Sequence, residues 1–187
     1  MEKNVALIAL FAALIAALGL IPKITLAFGV PITAQSMGVM LCGAVLGSRK
    51  GALSVLLFLL LVAIGLPLLS GGRGGLGLFV SPSAGFLIGW PAAAFVTGWI
   101  VEHWRLAPLT LVACVASVIG GIVVLYLFGI IGLLITLDKT LSEVIWLVAA
   151  FVPGDLLKAI IAGMLTAALA KARPGSVLSR ANRTDAV

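Results

Sequence analysis

Charge is scarce in this chain. Of 187 residues only 10% are charged, twelve Lys or Arg against six Asp or Glu, while 63% are apolar. A soluble domain carries about 25% charged residues, so this chain cannot cover a water-facing surface. That deficit excludes a soluble enzyme, a disordered protein and a nucleic-acid binder. Histidine occurs once, as His103, and cysteine twice, as Cys42 and Cys114. Two cysteines inside apolar runs make no disulfide framework and no C-x-x-C pair; they read as small buried hydrophobes. One histidine without an acidic or cysteine cluster gives no metal site. There is no Walker loop, no nucleophile elbow and no pair of facing acids. Neither catalysis nor nucleotide hydrolysis is expected of this chain, and no cofactor of its own.

What the chain has instead is long apolar runs. Six are separable, at 5–21, about 34–46, 52–69, 83–101, 106 to about 136, and 144–170. A membrane span needs about 20 such residues. Five runs meet that, and the second does so if its helix begins near Pro31, a residue suited to a first helical turn. Barrel strands would alternate and be about half as long. In hydrocarbon the backbone must pair within its own segment. The expected fold class is therefore an all-α membrane protein of six transmembrane helices. The first run is longer than a signal-peptide core and has no A-x-A after it, so it reads as a span.

Six spans put both termini on one side. That side collects Lys3, Arg49, Lys50, Arg105, Lys171, Arg173, Arg180 and Arg183, against Lys23, Arg73 and Lys139 on the other. Eight against three places both termini in the cytoplasm. Topology thus accounts for the net charge of +6 without nucleic acid. Residues 1–173 read as one six-helix transmembrane domain, and 174–187 as a loose, basic cytoplasmic tail.

Four places break the apolar pattern. In the first span Ala9, Ala12, Ala13, Ala16 and Ala17 form a small-residue stripe, which lets another helix approach closely. It serves either packing within the bundle or docking of another protein. The second break runs from Phe28 through Pro31 and Thr33 to Gln35. Its hydrogen-bonding groups either cap the next helix or face a ligand. The third is the extracellular string S-G-G-R-G-G-L-G over 70–77, followed by Phe79, Ser83 and Phe86. Glycines there allow main-chain N–H groups to approach a ligand. The string reads as a cap over a cavity, with N–H groups or Arg73 meeting an anion, or else as a flexible link.

The fourth break is P-G-D-L-L-K over 153–158, inside the sixth run. Asp155 and Lys158 are three apart and share a helical face. Asp155 lies sixteen residues from Lys171, roughly 24 Å along a helix, hence in the outer half of the bilayer. Each ionisable group costs about 2.5–3.5 kcal/mol to insert, so the two should face the bundle interior. Pro153 should kink or open the helix there. A polar ligand site is the first reading; a structural ion pair and a proton relay are the others.

Together the strings P-I-T-A-Q (31–35), G-G-R-G-G-L-G (71–77) and G-D-L-L-K (154–158) resemble the BioY family, the biotin-binding S components of energy-coupling factor (ECF) vitamin transporters. The resemblance covers the chain from the first span to Lys171. One departure is P-S-A-G-F over 82–86, where the family often has P-T-G-G-Y, so Phe86 lacks a tyrosine hydroxyl.

The resemblance implies high-affinity biotin capture as the substrate-binding subunit of an ECF-type ABC transporter in the bacterial inner membrane. It implies a biotin site near the outer surface built from Asp155, Lys158, Arg73, Gln35, Thr33, Gly74, Phe79, Ser83, Phe86 and Trp90. Asp155 would accept from the ureido N–H groups and Lys158 donate to the ureido carbonyl. Phe79, Phe86, Trp90 or Ile32 would flank the apolar rings, and Arg73, loop N–H groups or Gln35 would meet the carboxylate. A swapped pose puts the carboxylate on Lys158. Ala9, Ala13 and Ala17 resemble the face by which S components dock on a transmembrane T component. ATP would be hydrolysed only on partner ABC ATPase subunits, with release by toppling of the whole subunit. The alternative is a proton-coupled carrier for biotin or a related small carboxylate, using Asp155. Oligomeric state stays open, a homo-oligomer included.

Overall fold

A computed structural model describes residues 2–25 and 29–180. Phe28, Arg183 and the rest of 181–187 lie outside the described residues. The apolar runs fold as helices. α1 spans Glu2–Leu18, α2 Gln35–Leu46, α3 Ser48–Ala63 and α4 Ala84–His103. α5, Leu109–Val118, passes through a π-turn at Ile119–Val124 into α6, Leu125–Thr136. α7, Leu141–Ala149, and α8, Val152–Ala172, share the sixth run. Three stretches, Ala84–His103, Leu109–Thr136 and Val152–Ala172, are long and apolar enough to cross a membrane. Strand structure among the described residues is one antiparallel pair, β1 Ile24–Thr25 with β2 Pro31–Ile32.

α2 is the centre of the molecule, and every residue of it except Met37 is buried. The outer helices turn Leu60, Ile131, Trp146 and Met164 outward, as an apolar solvent requires. α2 has only 12 residues, about 18 Å of helix against about 30 Å of hydrocarbon. Pro31 does not open this helix as expected. It pairs with Thr25 in the short hairpin, where its fixed φ and missing N–H are equally tolerated. The helix therefore starts late, and a cavity lies over its first turn.

The sixth run also differs from one continuous span. It breaks at Ala150–Phe151, and Pro153 falls in the first turn of α8, where its missing N–H is no loss. Asp155 consequently sits in that first turn, where the helix dipole favours a carboxylate.

In the fifth run a buried row recurs every four residues: Ala113, Ser117, Gly121, Leu125, Gly129 and Leu133. An uninterrupted α-helix would carry that row roughly 200° around its axis over twenty residues. The π-turn inserts about one extra residue and takes back roughly 100° of that. α6 thereby keeps facing the centre.

The end opposite the cavity is tied by polar contacts. The Glu102 carboxylate accepts from the Ser48 N–H at 2.7 Å and the Ser48 hydroxyl at 2.8 Å. Of the segment expected as a loose tail, residues 174–180 are described. Pro174–Ser176 and Leu178–Arg180 are short 3₁₀ turns, and Val177 between them is buried. Ser179 donates to the Ala44 carbonyl, one of the last four of α2 that a helix leaves unpaired. Arg180 donates to the Trp104 carbonyl at 3.0 Å.

Candidate functional site

The cavity over α2 encloses about 560 Å³ of atom-free space, part of it open to solvent. Thr33, Gln35, Ser36, Arg73, Ser83, Phe86, Trp90, Asp155 and Lys158 line it, with Ile32, Leu87, Leu125 and Phe151 among the apolar walls. Residues far apart in sequence meet because the hairpin, the glycine loop and the break before α8 all lie over the short α2.

One end is charged. Lys158 Nζ lies 2.8 Å from Asp155 Oδ1, as their spacing on one helical turn requires. The two do not face only each other. Lys158 Nζ also donates to Ser36 Oγ at 3.0 Å, and Ser36 Oγ donates to Asp155 Oδ1 at 3.4 Å. Tyr126 donates its hydroxyl to Asp155 Oδ2 at 2.8 Å. Both carboxylate oxygens are thus held, and Asp155 is only 4% exposed, as a buried charge demands. Ser36 and Tyr126 are missing from the sequence reading. Ser36 is a small polar residue at a helix start and carries little signal. Tyr126 is the one tyrosine of the chain, and a hydroxyl in an apolar run needs a partner; that was the available signal.

Arg73, which also lines the cavity, is held by the glycine loop. Leu69 and Arg73 exchange backbone hydrogen bonds of 3.0 and 3.1 Å. Gly71 (φ 80°) and Gly72 (φ 68°) turn the chain between them, in the left-handed region closed to most residues. Arg73 Nε donates to the Ser70 carbonyl at 3.3 Å. Burial lowers the guanidinium pKa from its ordinary value, though arginine keeps its charge.

Three of the expected site residues are placed differently from the rest. Gly74 does not line the cavity; it lies against the Leu66 carbonyl, where a Cβ would collide. Phe79 is carried by the 3₁₀ turn Leu76–Val80 into a separate apolar groove with Ile88, Phe128 and Ile131. Gln35 does line the cavity, but its amide is occupied. Nε2 donates to the Ile15 carbonyl at 3.0 Å and the Leu68 carbonyl at 3.1 Å, and Oε1 accepts from the Ser70 N–H at 2.9 Å. Both amide protons are thereby used, so Gln35 is a clamp joining α1, α2 and the glycine loop.

Thr33, Ser83, Phe86 and Trp90 line the cavity wall. Ser83 Oγ is 2.8 Å from Ser81 Oγ. Phe86 packs 5.7 Å from Phe151, and Trp90 6.0 Å from Phe58, between ring centroids. On α1, Ala12 and Ile15 face inward, while Ala9, Ala13 and Ala17 are exposed. Cys42 is buried and Cys114 half-buried. His103 ends α4 with its ring stacked on Trp99, centroids 4.7 Å apart. Among the described residues no cluster of three His, Cys, Asp or Glu gathers.

The family model described as "BioY family" matches residues 2–175. The chain is 54% identical over 189 residues to the biotin transporter BioY of Rhodobacter capsulatus, covering 96% of this chain and 100% of that one. It is 53% identical over 169 residues to the biotin transporter BioY of Rhizobium etli, covering 87% and 90%. The crystal structure of an S-component for biotin from an ECF-type ABC transporter superposes with a TM-score of 0.86 at 32% identity, covering 91% of this chain and 92% of that one. The chain belongs to the BioY family.

Proposed function

We propose that this protein captures biotin at the outer face of the bacterial inner membrane and takes it up as the substrate-binding S component of an ECF-type ABC transporter. The observation that carries the reading is the charge pattern of the cavity: two cations, Arg73 and Lys158, one carboxylate, Asp155, and apolar walls around them. One cation in excess suits a ligand with a single carboxylate, and apolar walls with a few placed polar groups are what small-ligand sites have.

The donors and acceptors each residue has left support one pose. Asp155 is the acceptor for one N–H group of the cyclic urea, on the lone pair its protein partners leave, with Lys158 beside it donating to the urea carbonyl. Arg73 takes the carboxylate, since its planar fork suits that group. Ile32, Phe86 and Trp90 flank the thiophane ring and the valerate chain. Gln35 holds the loop and leaves the ligand to its neighbours.

Six crossings are completed by α1, α2 and α3 with their flanking loops, and α7 with α8 forms the sixth. The end bearing Arg49, Lys50, Arg105, Lys171, Arg173 and Arg180 then faces the cytoplasm, with both termini. The chain needs no cofactor of its own. ABC ATPase subunits supply the energy through a T component docked on the exposed stripe of Ala9, Ala13 and Ala17, where small side chains permit close helix contact.

Isothermal titration of the purified full chain with biotin tests the reading. One biotin per chain is the expected result, and no binding at micromolar concentrations refutes it.

A further inference from the structure

We propose that Tyr126 is a positioning residue of the ligand site, acting on biotin through the Asp155 carboxylate. The inference rests on the assignment of this cavity to biotin. Lys158 and Ser36 both engage Oδ1 of Asp155, and Tyr126 engages Oδ2 at 2.8 Å. A carboxylate gripped by one oxygen alone can swing about its last bond, a torsion with a broad minimum. Tyr126 removes that freedom by holding the second oxygen, so the lone pair left over, on Oδ2, points in a fixed direction.

The hydroxyl is itself held firmly. The Tyr126 ring packs edge-on against Phe86 and Phe151, at 6.5 Å from each, with interplanar angles of 78° and 64°. Both of those rings line the cavity, and so does Leu125, the residue before Tyr126. The first turn of α6 therefore gives the cavity an apolar wall and gives Asp155 its second anchor. The rotation of that turn is set by the π-turn at Ile119–Val124 immediately before it, a distortion found mostly as single turns at functional sites. Without the inserted residue, α6 would be rotated by roughly 100°, and the hydroxyl would miss the carboxylate.

A double-mutant cycle separates positioning from mere satisfaction of a buried hydroxyl. Equilibrium binding of labelled biotin is measured on the purified full chain, on Tyr126→Phe, on Asp155→Asn and on the double variant, with melting of each ligand-free protein. Tyr126→Phe is expected to weaken biotin binding about tenfold, the loss of one hydrogen bond to a charged group. In the Asp155→Asn background the same change is expected to cost less than about twofold. Unaltered affinity in Tyr126→Phe, or an equal loss in both backgrounds, overturns the proposal, whatever the melting temperature does. Should the Phe variant not fold, 3,5-difluorotyrosine in place of Tyr126 tests the same bond. Its more acidic hydroxyl must alter biotin affinity, and an unchanged affinity overturns the proposal. Failure of the unsubstituted protein to bind biotin removes the cavity assignment itself, a result distinct from failure of the Tyr126 arm alone.

Discussion

Replacing Gln35 with leucine isolates the clamp from the ligand. The side chain is 1% exposed and makes three hydrogen bonds, to the Ile15 carbonyl, the Leu68 carbonyl and the Ser70 N–H. Leucine fills a similar volume and makes none of them. At about 1 kcal/mol net for each bond, the folded state loses about 3 kcal/mol. The loss falls on the joint between the end of α1 and the start of the glycine loop, so biotin dissociation should quicken as Arg73 loses its fixed support. Affinity itself should fall by less than about tenfold, or about 1.4 kcal/mol, because the amide touches no ligand atom. Reversible unfolding in detergent gives the stability, and a chase with unlabelled biotin gives the dissociation rate. Stability within about 0.5 kcal/mol of the parent, together with affinity reduced more than about a hundredfold, would refute the reasoning. The amide would then belong to the ligand and not to the scaffold.

Three further outcomes are expected. Asp155→Asn should weaken biotin binding by about ten- to a hundredfold, the worth of a hydrogen bond to a charged acceptor; retained affinity with lost accumulation would point to a proton-coupled carrier. Ala13→Trp with Ala17→Trp should leave biotin binding intact and abolish co-purification with the T component; unchanged co-purification would remove the stripe from the docking surface. Ser179→Ala should lower stability by about 1–2 kcal/mol, because the Ala44 carbonyl loses its donor, and biotin affinity should not change; calorimetry and titration check both.

The parts of the site legible in the sequence were local. Asp155 and Lys158 are charges three residues apart in an apolar run, so both their partnership and their burial followed from the cost of placing them there. Arg73 among glycines was legible because a turn with left-handed residues leaves its mark in composition. The fate of Gln35 was not legible, since its three partners lie 20 to 35 residues away and depend on how α1 and the glycine loop stack over α2. Tyr126 was hidden by the π-turn: counting along an ideal helix puts a residue past such a turn on the wrong face. Pro31 suits an extended pair as well as a first helical turn, so its φ alone could not choose. Phe79 followed a 3₁₀ turn that periodicity over so few residues does not specify. Ser179 meets an orphan carbonyl at the end of α2 that composition cannot reveal, so the fold of residues 174–180 was not legible.

The most direct test is a crystal structure of the full chain with biotin bound. Density for the ligand should lie over the first turn of α2, one urea nitrogen within hydrogen-bond reach of Asp155 and the carboxylate at Arg73. Biotin seated elsewhere, for instance in the apolar groove beside Phe79, while Asp155 and Lys158 keep only their protein partners, would contradict the account.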